Sequence, residues 1–296
     1  MSALAAKHET GEMAEVLRLA QRVIDLAGGD PTTGNLVLGS PLAVAITWRG
    51  AARWCLGIPG WKHDFAQAVA MARAADPISL AGVMYYKYPL AIPGGALLSD
   101  ATALRETADA LAIAERSGEE LALHCTRFAR GITLVHQDGP ERDAGLALLA
   151  QVREAAVQQR FTLTVVPVVD IHVAQEKARA GDFDGAVGLA RAVVDDLFDS
   201  GGAVWSAPAT AVLVEALLRR GSDGDLAEAQ AAVDRLAAVP TDPGFVLRET
   251  FLLRLRALLA RARGEEAGYR DYRDRYRKLA TEFGFEGRIA LAEAMT

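Results

Sequence analysis

The dominant pattern along the chain is a helical period of apolar positions, interrupted at intervals by glycine and proline. Residues 12–26 show it clearly, because their apolar side chains fall on one helical stripe: Met13, Val16, Leu17, Leu19, Ala20, Val23 and Ile24. Residues 41–56 are apolar on nearly every side, which predicts a central helix buried on two faces. Only residues 161–169 resemble a strand, and Pro167 with its β-branched neighbours leaves helix and strand both open.

A second pattern is the spacing of the glycines that separate predicted helices. These glycines are Gly57, Gly94, Gly139, Gly181, Gly221 and Gly264. They recur roughly every 40 residues, and a helix–turn–helix unit of that period is typical of an α-solenoid. We therefore predict an all-α fold, an α-solenoid of antiparallel helix pairs with about 12–14 helices, similar to a tetratricopeptide superhelix. The alternative is an irregular helical bundle in which the glycines merely end helices.

No shift in composition marks an independent second domain. The sequence predicts a single helical-repeat domain over residues 1–296, with at most a soft hinge near Gly139. Of the 296 residues, 51% are hydrophobic and 24% are charged, which is enough apolar material for a large core and excludes a disordered chain.

Charge and cysteine content narrow the class of partner and the compartment. The net charge of −6 argues against nucleic acid or an anionic membrane as the main partner. No apolar run approaches the length of a membrane span, and residues 1–26 lack the apolar run of a signal peptide. Cys55 and Cys125 are too few for a disulfide framework. We expect a cytoplasmic protein.

Motifs for catalysis are missing from the sequence. It contains no phosphate-binding Gly-x-x-x-x-Gly-Lys loop, no His-Glu-x-x-His pair and no Gly-x-Ser-x-Gly elbow. His172 and Glu176 lie one helical turn apart and are a weak candidate metal pair, although a solvated helix face explains them better. We predict no catalytic residue, no metal site and no cofactor, so the chain is not expected to be an enzyme.

One cluster is a candidate partner-binding surface. Trp48, Arg49 and Arg53 lie on one predicted helix, and Tyr85, Tyr86 and Lys87 follow about one repeat later. In a solenoid, equivalent stripes of successive repeats line the concave face, where arginine and tyrosine side chains can bind a peptide or an acidic loop. The alternative is that the aromatic rings belong to the core and the arginines extend past them to solvent.

Five stretches carry a resemblance to a known family. They are LGSPLA at 38–43, ARWCLGIPGW at 52–61, YYKY at 85–88, VHQDGPERDAG at 135–145 and FGFEGRIA at 283–290. The chain resembles the C-terminal helical-repeat region of large actinobacterial, especially mycobacterial, signalling proteins. In these proteins an adenylate/guanylate cyclase domain is followed by an ATPase of the AAA/STAND type and then by the repeats. Neither a cyclase nor an ATPase motif is present here, so no catalytic residue carries over.

The resemblance implies a non-catalytic regulatory module for protein interaction in signal transduction. Its partner would be a protein or peptide, in particular a cyclase or ATPase domain, bound on the concave face. Nucleic acid and membranes are not expected partners. A second hypothesis is a small-molecule sensor with an apolar pocket between helices, lined by Trp48, Trp54, Tyr85 and Tyr86.

Overall fold

The computed structural model describes residues 2–34 and 39–295, so that Leu38 of the first resembling stretch lies outside the described residues. The described residues form fifteen α-helices and no β-strand. In chain order the helices are α1 (Ser2–Glu9), α2 (Met13–Ala27), α3 (Pro41–Cys55), α4 (Trp61–Ala75), α5 (Pro77–Ala91), α6 (Ala101–Ser117), α7 (Glu120–Val135), α8 (Pro140–Val157), α9 (Val165–Arg179), α10 (Phe183–Ser200), α11 (Ala203–Arg220), α12 (Asp225–Ala238), α13 (Val246–Ala262), α14 (Glu266–Phe283) and α15 (Glu286–Glu293).

The packing of these helices confirms the predicted all-α fold with solenoid-like helix pairs. From α2 to α8, each helix packs against the next, and the same holds from α10 to α15. In addition α5 packs against both α3 and α7, across the intervening helices α4 and α6, and α11 packs against α13 in the same way. Such stacking of alternate helices distinguishes a solenoid from a simple chain of hairpins. The short α1 is the one helix that the apolar pattern does not predict.

The fold groups into two compact units. The first comprises Met1–His8 and Glu12–Val165, and the second comprises Glu9–Gly11 and Val166–Thr296. Helices α7 and α8, which flank Gly139, pack together inside the first unit. Whether the two units act as one domain, with or without a soft hinge near Gly139, stays a prediction.

Helix starts follow the local chemistry of the sequence. Proline occupies the first position of α3 and of α5, where its missing N–H costs nothing. Ser40 and Asp76 precede these prolines, and each side chain accepts a hydrogen bond from a backbone N–H three residues later. Both caps therefore fix where the stacked helices of the first unit begin.

Two of the regularly spaced glycines show why glycine is needed. Gly221 ends α11 with φ +64°, a left-handed conformation that glycine adopts without cost. Gly94 has no such φ. A Cβ atom there would lie 2.3 Å from the Trp54 ring and 2.8 Å from the Leu90 carbonyl oxygen. Here glycine is needed because the chain passes directly against an indole ring.

Proline, which usually ends or interrupts a helix, lies within three helices of this fold. Pro89 does not end α5, which continues to Ala91 with the proline buried inside it. Likewise α11 begins before Pro208 and contains it. The ambiguous residues 161–169 form no strand, because α9 begins at Val165 and places Pro167 in its first turn. A buried helix can lose one backbone hydrogen bond at proline when packing compensates for it.

The central helix predicted from residues 41–56 is confirmed. Twelve residues of α3 are buried, among them Trp48, Trp54 and Cys55. In the second unit α11 is buried to a similar degree. No helix among the described residues has the length and apolar character needed to cross a membrane.

Candidate functional site

The six predicted partner-binding residues lie on α3 and α5, which pack against each other in the first unit. The structure places them in three different environments. Trp48, Tyr85 and Tyr86 join a chain of aromatic rings, Arg49 and Arg53 bind a buried carboxylate, and Lys87 binds a glutamate of α6.

Both arginines converge on Asp64 in the first turn of α4. Arg49 binds this carboxylate with two nitrogens, with Nη2–Oδ1 at 2.7 Å and Nε–Oδ2 at 3.2 Å, and Arg53 adds Nη1–Oδ2 at 2.9 Å. The Asp64 side chain is fully buried, whereas those of Arg49 and Arg53 are 15% and 28% exposed. Arg49 also donates to the side-chain oxygen of Gln21 at 3.2 Å. These contacts tie α2, α3 and α4 together, so both guanidinium groups already have a structural role.

Lys87 is also engaged within the fold. Its Nζ lies 2.9 Å from Glu106 Oε2 and 3.1 Å from the Tyr88 hydroxyl, and that hydroxyl donates to the same glutamate oxygen at 2.7 Å. Burial opposes ionisation of Glu106, but the Lys87 charge and the two hydrogen bonds outweigh it and hold the pKa of Glu106 below its usual range. Burial, together with the nearby carboxylate, raises the pKa of Tyr88.

The remaining three residues belong to what we call the aromatic seam, a series of ring contacts across the first unit. Its residues are His8, Trp48, Tyr86, Tyr85, Phe128, Phe161 and His124. The centroid of Trp48 lies 4.7 Å from that of His8 and 4.4 Å from that of Tyr86, and Tyr86 meets Tyr85 edge-on at 4.8 Å. These distances are those of favourable aromatic pairs.

The far end of the aromatic seam is built by α7 and by the segment between α8 and α9. The ring of Tyr85 lies 5.6 Å from Phe128 and 5.8 Å from Phe161, and Phe161 lies 5.4 Å from His124. Tyr85, Tyr86 and Phe161 are half-buried. The seam therefore offers aromatic surface to solvent from α5 and from the segment after α8, whereas its α7 residues Phe128 and His124 are buried.

Several buried polar atoms in the aromatic seam have no hydrogen-bond partner among the described residues. They are both ring nitrogens of His8, Nε1 of Trp48 and Nδ1 of His124. Burial lowers the pKa of His8 to about 3, so its ring is neutral near pH 7. Such atoms are uncommon in protein interiors and mark places where a further polar group would be bound favourably.

The weak metal candidate gains no third ligand. Nδ1 of His172 lies 2.8 Å from the Val168 carbonyl oxygen, and Glu176 is paired with Arg179 at 3.2 Å. Across the described parts of the chain, no group of three His, Cys, Asp or Glu side chains is placed to hold a metal ion. Both cysteines are buried and free, and burial raises the pKa of Cys55 well above its usual range and that of Cys125 to about 12.

Sequence reasoning missed four residues that matter to this site. Asp64 looks like an ordinary acidic group in a first helical turn, and nothing local shows that two arginines bind it. His8, His124 and Phe161 reach the aromatic seam from distant segments, so no spacing in the sequence links them to Trp48 or Tyr85. The regular spacing of the repeats could have suggested α7 as the next helix of the stack.

No protein-family model matches the chain, and no curated protein matches it.

Proposed function

We propose that the chain is a non-catalytic interaction module that binds a peptide or a sister domain on the face formed by α3, α5 and α7. The observation that carries the proposal is the aromatic seam, in which the half-buried rings of Tyr85 and Tyr86 on α5 touch each other and contact Phe128 of α7 and Trp48 of α3. Large aromatic side chains bind partners well, because they offer much contact area and lose little conformational entropy.

The charged residues of the predicted surface have a supporting role in this proposal. Arg49 and Arg53 are neutralised in part by Asp64, and Lys87 is neutralised by Glu106. Binding is therefore expected to depend mainly on the tyrosines and only weakly on salt concentration. The resemblance to the helical repeats of cyclase–ATPase proteins supports a regulatory role in nucleotide-cyclase signalling in the cytoplasm.

Selection of peptides tests the binding surface. Random peptides displayed on phage are selected on the immobilised full chain, and their affinities are measured by fluorescence anisotropy. We expect binding to the double variant Tyr85→Ala/Tyr86→Ala to be weaker by about tenfold or more. Tyr272→Ala is the matched control, since Tyr272 is a half-buried tyrosine of α14 in the second unit. The proposal would be contradicted if the selected peptides bound Tyr85→Ala/Tyr86→Ala as tightly as they bind Tyr272→Ala. Failure to select any peptide would also contradict it.

The signalling role has its own test. A purified class III cyclase domain is assayed with and without the chain, and the chain alone is incubated with ATP or GTP and a divalent cation. We expect the chain to change the rate of cyclic-nucleotide formation by the cyclase domain and to form none alone. Cyclic nucleotide made by the chain alone would end the non-catalytic interpretation. An unchanged cyclase rate would remove the cyclase as its target.

A small-molecule sensor is the second candidate, and one observation favours it. The rings of His8 and Trp48 lie 4.7 Å apart, and their buried nitrogens have no hydrogen-bond partner among the described residues; a few polar groups among apolar rings are the chemistry of a ligand pocket. Trp54, another residue predicted to line such a pocket, packs its ring against Gly94 just beyond α5, and its role in a pocket stays a prediction. A small-molecule library is screened by thermal shift on the wild type and on Trp48→Phe. A ligand that raises the melting temperature of the wild type but not of Trp48→Phe would favour the sensor.

A further inference from the structure

The segment between α8 and α9 lies against the aromatic seam in an irregular conformation. It comprises residues 158–164, with the sequence QQRFTLT, and is called the strap. Its central residue, Phe161, packs edge-on against Tyr85 and beside His124. Tyr85 and Phe161 also pack on a small apolar cluster formed by Ala81, Ala114, Ala122 and Cys125. One ring from a non-helical segment thus fills a subsite made by α5, α6 and α7.

The strap begins with an unfavourable backbone conformation. Gln159 has φ +60°, and it is the one non-glycine residue with positive φ in the described part of the chain. Its N–H bonds to the Ala156 carbonyl, and the next N–H bonds to the Ala155 carbonyl. These two bonds form the helix-ending motif in which glycine normally occupies the left-handed position. A glutamine there stores strain that opening of the strap would release.

The rest of the strap is held mainly at the surface. Arg160 pairs with Glu120, and both side chains are more than half exposed. Leu163 is 63% exposed, so its side chain does not fix the strap to the fold. The Thr164 hydroxyl also lies 3.4 Å from the Tyr85 hydroxyl. An exposed ion pair and a long, exposed hydrogen bond contribute little to stability, so the packing of Phe161 is the main attachment of the strap.

His124 shows that this subsite is incompletely satisfied. The histidines on α9 and at the end of α7, His172 and His136, each place Nδ1 2.8 Å from the carbonyl oxygen four residues earlier. His124 instead directs Nε2 to Glu120 at 3.4 Å and buries Nδ1 without a partner among the described residues. A bond to a carboxylate requires a proton on Nε2, and in the tautomer that carries its proton there Nδ1 is an acceptor. The group that would satisfy it is an N–H or O–H donor, which phenylalanine lacks.

We propose that the strap is a built-in substitute for the partner, and that a partner segment with an exposed tyrosine or tryptophan replaces Phe161 between Tyr85 and His124. The aromatic ring takes over the edge-on contact with Tyr85, and its hydroxyl or indole N–H donates to His124 Nδ1. This inference rests on the proposed interaction function and specifies the class of partner. The surface is closed while Phe161 of the strap occupies the subsite, and the partner must displace the strap to bind.

The test uses the sequence of the strap itself as the probe. Three capped peptides are titrated into the full chain: QQRFTLT, its tyrosine form QQRYTLT and its alanine form QQRATLT. The proteins are the wild type, Phe161→Ala with an empty subsite, and Leu163→Ala as a control that removes an exposed apolar side chain of the strap. Binding is followed by NMR from the His124 ring protons, which report on this subsite even when affinity is weak.

We expect Phe161→Ala to bind the phenylalanine peptide at least about tenfold more tightly than the wild type does, because the chain's own Phe161 ring no longer competes for the subsite. The tyrosine peptide should bind more tightly still, the alanine peptide should not shift His124, and Leu163→Ala should behave as the wild type. The inference would be overturned if the phenylalanine peptide bound the wild type and Phe161→Ala equally well. It would also be overturned if the alanine peptide bound Phe161→Ala as tightly as the phenylalanine peptide does.

A second variant keeps the test decisive if Phe161→Ala unfolds. Gln159→Gly relieves the strain that favours opening, so the strap should close more firmly and the tyrosine peptide should bind about threefold more weakly. Stronger binding would contradict the inference. Phage-selected peptides separate the two proposals. If they need Tyr85 and Tyr86 but bind wild type and Phe161→Ala alike, the strap proposal fails and the interaction surface stands.

Discussion

Arg49 holds Asp64 through two nitrogens, with Nη2–Oδ1 at 2.7 Å and Nε–Oδ2 at 3.2 Å, and the carboxylate has no exposed surface. Arg53 binds the same carboxylate from the next turn of α3. Two positive charges thus share one buried negative charge at the junction of α3 and α4. Removal of that negative charge would leave both guanidinium groups without compensation.

Asp64→Asn should therefore be strongly destabilising. We expect the free energy of unfolding to fall by about 3 kcal/mol, as when one partner of a buried ion pair is lost. The measurement is urea denaturation followed by circular dichroism. Asp109→Asn is the control, because Asp109 meets Arg73 at 3.8 Å on the surface and should change stability by less than about 1 kcal/mol. Similar losses in the two variants would refute the structural role assigned to Asp64.

His8→Leu should change how stability depends on pH. Burial lowers the pKa of His8 from an ordinary 6.5 to about 3. Between these values the unfolded chain binds a proton that the folded chain rejects, so this residue makes the wild type lose stability as pH falls from 6.5. The variant lacks this loss. As the pH falls below 6.5, the stability of the variant relative to the wild type should therefore rise by up to about 1.4 kcal/mol for each pH unit.

The comparison for His8→Leu is His63→Leu, at an exposed position of α4. Urea denaturation is measured from about pH 7 to about pH 4, above the pKa of the buried ring. If the two variants show the same slope against pH, the neutral state assigned to His8 is wrong.

Two glycine substitutions of equal size should have opposite effects. Gly94→Ala places a methyl group 2.3 Å from the Trp54 ring, which should lower the free energy of unfolding by about 1–3 kcal/mol. Gly188→Ala lies within α10, where no atom is within 4 Å of the added carbon, and it should raise stability by about 0.5–1 kcal/mol. Thermal unfolding of both variants checks the signs, and a neutral Gly94→Ala would mean that Trp54 can move aside.

The two thiols should be unreactive in the folded protein. Cys55 and Cys125 are buried, and burial raises the pKa of each thiol, so little thiolate forms near pH 8. With a chromogenic disulfide reagent we expect no rapid phase in buffer and release of two equivalents in guanidinium chloride. A rapid native phase for either cysteine would show that its helix opens locally.

Most of the helical framework could be predicted from the sequence, because each stripe of apolar residues and each helix-ending glycine acts locally. The failures have physical causes that are not local. α1 has no apolar stripe, yet Leu4 and His8 are buried, and the His8 ring packs against Trp48 of α3. Pro89 would end an isolated helix, but within α5 the proline is buried, and packing compensates for the hydrogen bond it cannot make.

The candidate site could be predicted only in part. Trp48 and Tyr86 lie about one repeat apart in sequence, and the stacking of α3 on α5 brings their rings to 4.4 Å. The roles of Arg49 and Arg53 depend on Asp64, and the end of the aromatic seam depends on Phe161 from the strap. These contacts join segments whose meeting is decided by tertiary packing, which a single sequence does not reveal.

The burial of α3 on nearly every side has a consequence for how this protein tolerates variation. In an amphipathic helix such as α14, where Tyr269, Tyr276 and Ala280 are buried and most other positions are exposed, damaging substitutions should recur with the helical period. Along α3 damaging substitutions should show no helical periodicity, because almost every position of this helix is buried. A saturation scan scored by protein abundance in cells would then show α3 as an unbroken intolerant block, flanked by helices with tolerant positions every turn.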